Sequence, residues 1–105
     1  MYSSGEGVER NAKLAESWYL KAAERGDVRG QYALGQMYRT GTGVPKDGPA
    51  AEKWLLMAAN RGYEDAQFSL ITMYGMGDGV PKDPEKADQW YRRLRDNRGL
   101  SSLYR

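Results

Sequence analysis

Chemistry in a protein of this size needs a base, a nucleophile, a metal-ligand set or a phosphate cradle, and this sequence offers few of the parts. It contains no histidine and no cysteine. Neither the usual general base nor a thiolate nucleophile is therefore available, and no Ser-x-x-Lys pair substitutes for them. Three carboxylates attract attention because they recur at one interval, Glu16, Glu52 and Asp88. Stacked helices would bring such groups to roughly 10 Å apart, where a metal site or acidic dyad is imaginable, although a repeat imposes such alignment automatically. A solvated or locally paired acidic stripe is the simpler reading. The glycine-rich stretches around Gly41, Gly43, Gly77 and Gly79 lack the trailing Gly-Lys-Ser/Thr of a phosphate loop and follow no strand signal. Catalysis is not expected, and no cofactor or metal site is either.

The remaining chemical feature is charge. Residues 90–105 carry Arg92, Arg93, Arg95, Arg98 and Arg105 against Asp96, a net of +4 within a chain of net +2. A basic footprint for nucleic acid or an anionic surface usually has aromatic stacking partners beside it, and only Tyr91 and Tyr104 are near. This disfavours nucleic acid, although it stays as one alternative. No apolar run reaches the ~18 residues of a membrane span. The first residues do not form a signal peptide, and without cysteine the compartment cannot be inferred. A mean hydropathy of −0.82 with 40% hydrophobic residues describes a well-hydrated surface over an ordered core, since the apolar residues recur at fixed places.

That recurrence organises the chain. Met37-Tyr38-Arg39-Thr40-Gly41-Thr42-Gly43-Val44-Pro45-Lys46-Asp47 returns as Met73-Tyr74-Gly75-Met76-Gly77-Asp78-Gly79-Val80-Pro81-Lys82-Asp83, 36 residues later (73 − 37). Trp18, Trp54 and Trp90 keep the same step. Met1-Tyr2, Gly5, Gly7, Val8 and Asn11 fall where a preceding copy would end. A fixed period of roughly 20 to 50 residues is the mark of a solenoid.

Within each unit a helix A should start after Asn11, Asp47 or Asp83, side chains that can bond the free N–H groups of a first turn. Proline at position 84 suits a first helical residue. Ala15, Trp18, Tyr19, Ala22 and Ala23 form one face of the first A helix, and Gly26 and Gly62 suit a left-handed closing residue. Helix B spans about residues 29–39 and 64–75. The small Ala22-Ala23 and Ala58-Ala59 pairs let B approach, and each tryptophan fills a wider gap as a structural residue. The loop glycines Gly41, Gly43, Gly77 and Gly79 supply positive φ, and Val44 tucks under the helix pair. On the third A helix Leu20 and Leu56 become Arg92, Lys21 and Met57 become Arg93, and Ala23 and Ala59 become Arg95, the polar outer side that a terminal repeat requires. The expected divisions are a remnant of a preceding unit at 1–11, repeats at 12–47 and 48–83, and a capping helix with tail at 84–105.

Ala15, Trp18, Lys21-Ala22-Ala23, Gly26, Leu34-Gly35-Gln36-Met37-Tyr38 and Gly41-Thr42-Gly43-Val44 together closely resemble the Sel1-like repeat, a relative of the tetratricopeptide repeat. The resemblance implies an all-α, right-handed α-solenoid of antiparallel helix pairs in the order A-B-A-B-A. It also implies an adaptor or scaffold, commonly bacterial, that binds a protein or peptide. Ile71 stands where Gly35 does, so the second A/B pair should approach less closely than the first. The cysteine-rich branch of the family is excluded. Exposed positions that vary between units are the expected partner-binding residues: Leu20, Leu56, Met57, Lys21 and Lys53, with the apolar ones as anchors. The alternative is an architectural segment that self-associates or packs on the rest of its own chain.

Overall fold

A computed structural model describes the backbone of residues 4–97 and the side chains of residues 11–96. Met1, Tyr2, Arg98, Tyr104 and Arg105 lie outside the described residues. Five helices follow in order: α1 (Ser4–Glu24), α2 (Val28–Thr40), α3 (Gly48–Asn60), α4 (Glu64–Met76) and α5 (Pro84–Asn97). Among the described residues there is no strand, and no helix is long and apolar enough to cross a membrane. Each helix packs on the next, and the molecule extends over 61 × 28 × 24 Å.

The repeated residues act at the ends of these helices. The Asp47 carboxylate accepts from the Ala50 N–H at 3.1 Å, and Asp83 accepts from Lys86 N–H at 3.1 Å, so two helix starts are capped alike. Gly41 and Gly77 close α2 and α4 at φ 71° and 72°, donating to the carbonyls of Met37 and Met73 at 2.8 Å in both cases. Gly43 and Gly79 also have positive φ; Gly43 faces Ala12 inside α1, and Gly79 faces Gly48 at the start of α3. A Cβ on Gly43 would lie 2.0 Å from the Ala12 Cβ, and one on Gly48 would lie 1.7 Å from the Gly79 carbonyl oxygen. The loops are thus laid tightly over α1 and α3, with Val44 and Val80 buried beneath them.

The first helix departs from expectation. α1 begins at Ser4 and runs through Gly5, Gly7 and Asn11, where a loop and a cap were predicted. Gly41 and Gly77 take up positive φ while closing a helix that stands before them. Gly5 and Gly7 lie instead within α1.

The core has two parts. The larger includes Leu55, Ala58, Ala59, Ala66, Leu70, Met73, Tyr74 and Trp90, and the smaller joins Ala23, Leu34 and Trp54 with Leu20 and Tyr38 against them. The predicted close approach of A to B occurs at Gly30, where a Cβ would come within 2.7 Å of the Ala22 Cβ. Gly35 acts elsewhere. Its missing Cβ makes room for Leu55 Cγ at 2.7 Å and the Ala51 carbonyl at 3.3 Å, both on α3. The glycine-to-isoleucine change at position 71 therefore bears on the contact between units, not on the pairing of A with B inside one.

Candidate functional site

The three tryptophans hold one repeat position but not one environment. Trp54 is 8% exposed and Trp90 7%, whereas Trp18 is 69% exposed. The reason is directional. Trp54 on α3 packs back on Ala23, Leu34 and Leu20 of the unit before it, and Trp90 packs back on the core of α3 and α4. An indole at this position is buried by the preceding unit, and Trp18 has none before it among the described residues. The expectation that Trp18 is a buried peg is thus corrected: it forms an exposed wall, with Tyr19, Ala22, Gly30 and Ala33, of an open groove across α1 and α2.

The residues expected to bind a partner divide into two depths. Met57 is 42% exposed, and Lys21, which holds its repeat position on α1, and Lys53, one turn before it on α3, are exposed too. Leu20 and Leu56 are half-buried and packed against the two core clusters. Each tryptophan carries a cation on its face: Lys21 Nζ lies 5.6 Å from the Trp18 ring centre, Lys53 Nζ 4.9 Å from that of Trp54, and the Arg93 guanidinium 4.3 Å from that of Trp90. Such stacking adds about 0.5–1 kcal/mol at exposed sites. Arg93 also donates to the Asn60 side-chain oxygen at 2.9 Å, so side chains of α3 and α5 meet on this surface.

The arginine cluster is partly spent within the chain. Arg92 pairs with Asp88 at 2.9 Å, one turn away on the same helix, and Arg93 is held as described. Arg95 is exposed.

Two of the three carboxylates in the acidic stripe, Glu16 and Glu52, turn out to be paired with tyrosines. The Tyr38 hydroxyl donates to Glu16 at 2.7 Å, and the Tyr74 hydroxyl donates to Glu52. The bond to Glu16, followed by burial and the charges of Glu16 and Asp47, pushes the Tyr38 hydroxyl up to about 12. Burial first, then the bond to Glu52 and the charges of Glu52 and Asp83, hold Tyr74 well above the ordinary phenol value. Both bonds lock helix B to helix A of one unit, so these carboxylates are structural acceptors. The signal was present in the sequence, since Glu16–Tyr38 and Glu52–Tyr74 have the same separation of 22 residues. A second repeated pair was also passed over: Gln31 and Gln67, both buried, donate to the carbonyls of Ala23 and Ala59 at 3.3 and 3.0 Å.

Between units the polar contacts are fewer and specific. Arg39 pairs with Asp78 at 3.1 Å and donates to the Gln36 side-chain oxygen at 2.9 Å. That same oxygen accepts from Ser69 at 3.1 Å.

Comparisons with known proteins agree with this architecture. The Sel1 repeat family model matches residues 1–27, 28–63 and 65–97, a framing that groups α2 with α3 and α4 with α5. A Sel1 repeat protein from Oxalobacter formigenes is similar over 82% of this chain and 35% of its own, with 38% identity and a TM-score of 0.74. The protein c5321, a protective antigen present in uropathogenic Escherichia coli strains and displaying an SLR fold, is similar over 77% of this chain and 17% of its own, with 38% identity and a TM-score of 0.72. The chain spans about a third and a sixth of the lengths of these two. No curated protein matches it. Helix order, capped loops, tryptophans at one repeat position and family match together place this chain in the Sel1 repeat family, whose members generally mediate protein–protein interaction and are generally non-catalytic.

Proposed function

We propose that this chain is a non-catalytic protein-binding module whose partner lies along the exposed faces of α1, α3 and α5. The observation that carries the reading is Met57, a large apolar side chain 42% exposed, one turn after the exposed Lys53 on α3 and at the repeat position of the exposed Lys21 on α1. Lysines resting on indoles present their ammonium groups in a fixed place, and an apolar side chain within such a frame is the usual form of an interface anchor. Leu20 and Leu56 support this ridge from below and contribute through its shape. Met57→Asp and Lys53→Glu should each abolish capture of the protein or peptide partners that the wild-type chain retains, with helical content unchanged. Met76→Asp, at a site 75% exposed on α4, should leave capture intact. Unchanged capture by both ridge variants would remove the reading.

A second reading, an architectural segment that packs on further chain or on a second copy, draws on the exposure of Trp18. It predicts a chain that sediments above its monomer mass and returns to it with Trp18→Ala.

A further inference from the structure

We propose that the partner seated on Met57 is an acidic peptide segment, one that lays an apolar residue on Met57 and a carboxylate to each side of it, at Lys53 and at Arg93. The inference rests on the ridge reading above and gives its ligand a chemistry. Lys53, Met57 and Asn60 follow i, i+4, i+7, one stripe of α3. Met57 is 42% exposed, and Lys53 and Asn60 are exposed with it. Here α3 packs on α2 before it and on α4 after it, so the stripe stays open with both neighbours in place.

A cation stands along the stripe on either side of Met57. Lys53 lies one turn before it, with its Nζ 4.9 Å from the Trp54 ring centre. One turn after it, the Asn60 side-chain oxygen accepts from Arg93 at 2.9 Å, and the Arg93 guanidinium lies 4.3 Å from the Trp90 ring centre. From Lys53 to Asn60 the helix rises about 10 Å. Trp54 and Trp90 are buried and hold their cations in place, and a side chain already ordered loses little freedom when a ligand arrives.

These two charges are not spent within the molecule. Neither Lys53 nor Arg93 forms an ion pair among the described residues. The acid of α3, Glu52, bonds Tyr74, and position 60 is an amide where α1 has Glu24 and α5 has Asp96. The stripe on α3 therefore offers an incoming carboxylate two cations and no opposing charge of its own. Arg93 keeps donors free after its bond to Asn60, since a guanidinium carries five, and two of them can grip one carboxylate. Nucleic acid fits less well. Its bases need open aromatic faces, and both indoles here are buried beneath their cations.

The test uses the full chain and a phage-displayed library of random dodecapeptides. Selected sequences should carry Asp or Glu on both sides of an apolar residue, and a synthetic peptide of that sequence should bind saturably in calorimetry. Changing its two acids to amides should weaken binding about tenfold. Lys53→Gln and Arg93→Gln should each weaken it about threefold, and Met57→Asp about thirtyfold. Lys53→Glu should lose the acidic peptide and gain one in which a lysine replaces the acid facing position 53. That rescue can succeed only in a folded chain, so misfolding cannot imitate it. A library that yields no binder, or binders without acids, would overturn the proposal, and so would a failed charge swap. Equal binding of phosphatidylserine vesicles or of a single-stranded oligonucleotide through Lys53 and Arg93 would overturn it too, by making any anionic surface the ligand. If acidic peptides fail while Met57→Asp still abolishes partner capture, the acidic ligand falls and the ridge stands.

Discussion

The junction of α2 with α3 and the junction of α4 with α5 are built from the same repeat positions, yet they close differently. In the first, Gly35 faces Leu55, which is fully buried. In the second, Ile71 and Tyr91 hold those positions, and Tyr91 remains 53% exposed. Polar contacts follow the same division. Gln36 of α2 reaches Ser69 on α4, and Arg39 reaches Asp78 in the loop after α4, so both tie the first unit to the second beside α3, while Gly75 and Thr72 hold the positions of Arg39 and Gln36 on α4. Trp90 is nevertheless as buried as Trp54. The tryptophan thus sets whether two units associate, and the residue at position 35 or 71 sets how closely.

The largest effect should come from removing the shared element at the tighter junction. Trp54→Ala should cost about 3–5 kcal/mol, as for a well-buried tryptophan, and Trp18→Ala close to nothing, although the two residues are formally equivalent. Denaturation in urea, followed by far-ultraviolet circular dichroism, checks both. A large loss from Trp18→Ala would mean that its indole is covered in solution.

The next effect tests closeness itself. Gly35→Ala places a Cβ 2.7 Å from Leu55 Cγ, and overpacking of this kind costs typically about 1–3 kcal/mol. This should exceed the small gain expected from alanine's better helix propensity. Combining it with Leu55→Ala should give a loss smaller than the sum of the two single losses, since residues in contact are not additive. Additive losses would show that the strain is relieved elsewhere.

These contrasts explain which parts of the fold could be read from the chain alone. Helix ends were legible because their causes are local: Asp47 and Asp83 cap within three residues, and Gly41 and Gly77 turn within four. The period was legible because Trp18, Trp54 and Trp90 keep one step. Burial was not, because the environment of an indole belongs to the unit before it, and sequence identity at equivalent positions carries no record of an absent neighbour. The role of Gly35 was assigned to the wrong partner for a related reason. A small residue announces a close approach without saying which helix approaches. The start of α1 was misplaced because the repeat pattern marks Gly5, Gly7 and Asn11 as loop and cap, whereas a continuous helix runs through all three. For the candidate site, exposure of Met57, Lys21 and Lys53 follows from their variable types, whereas the seating of Leu20 and Leu56 depended on side-chain packing that repeats alone do not resolve.

A smaller effect concerns the bonds inside each unit, which the two junctions share. Tyr38→Phe and Tyr74→Phe each remove a hydroxyl that bonds a carboxylate, and each should cost about 1 kcal/mol. Tyr74, buried at 3% exposure, should cost the more. The same pairs set an alkaline limit. Both phenols are held neutral in the folded chain with values above the 10.0 of a free phenol, about 12 for Tyr38. A raised acid contributes stability that is fully present below the unfolded value and is lost as pH rises through the folded one. Stability should therefore be independent of these groups below pH 10 and fall from 10 upward, and the doubly substituted chain should lose that part of the fall. An unchanged alkaline profile in the double variant would show that other groups govern it.

The smallest effect is the most discriminating for the comparison. Tyr91→Ala removes a side chain that the second junction leaves more than half exposed, so the loss should stay below about 0.5 kcal/mol, as for most surface positions. Leu55→Ala, at the equivalent place in the first junction, should cost about 2–5 kcal/mol. If the difference arises from the residue across the contact, it should be transferable. Leucine at position 91 in place of tyrosine, together with Ile71→Gly, recreates the Gly35–Leu55 pair at the second junction. In that background truncating Leu at 91 to alanine should become costly, although its chain neighbours are unchanged. A persistently small cost would mean that α5 cannot move toward α4, and that the loop through Val80, not the contact residue, holds the second junction open.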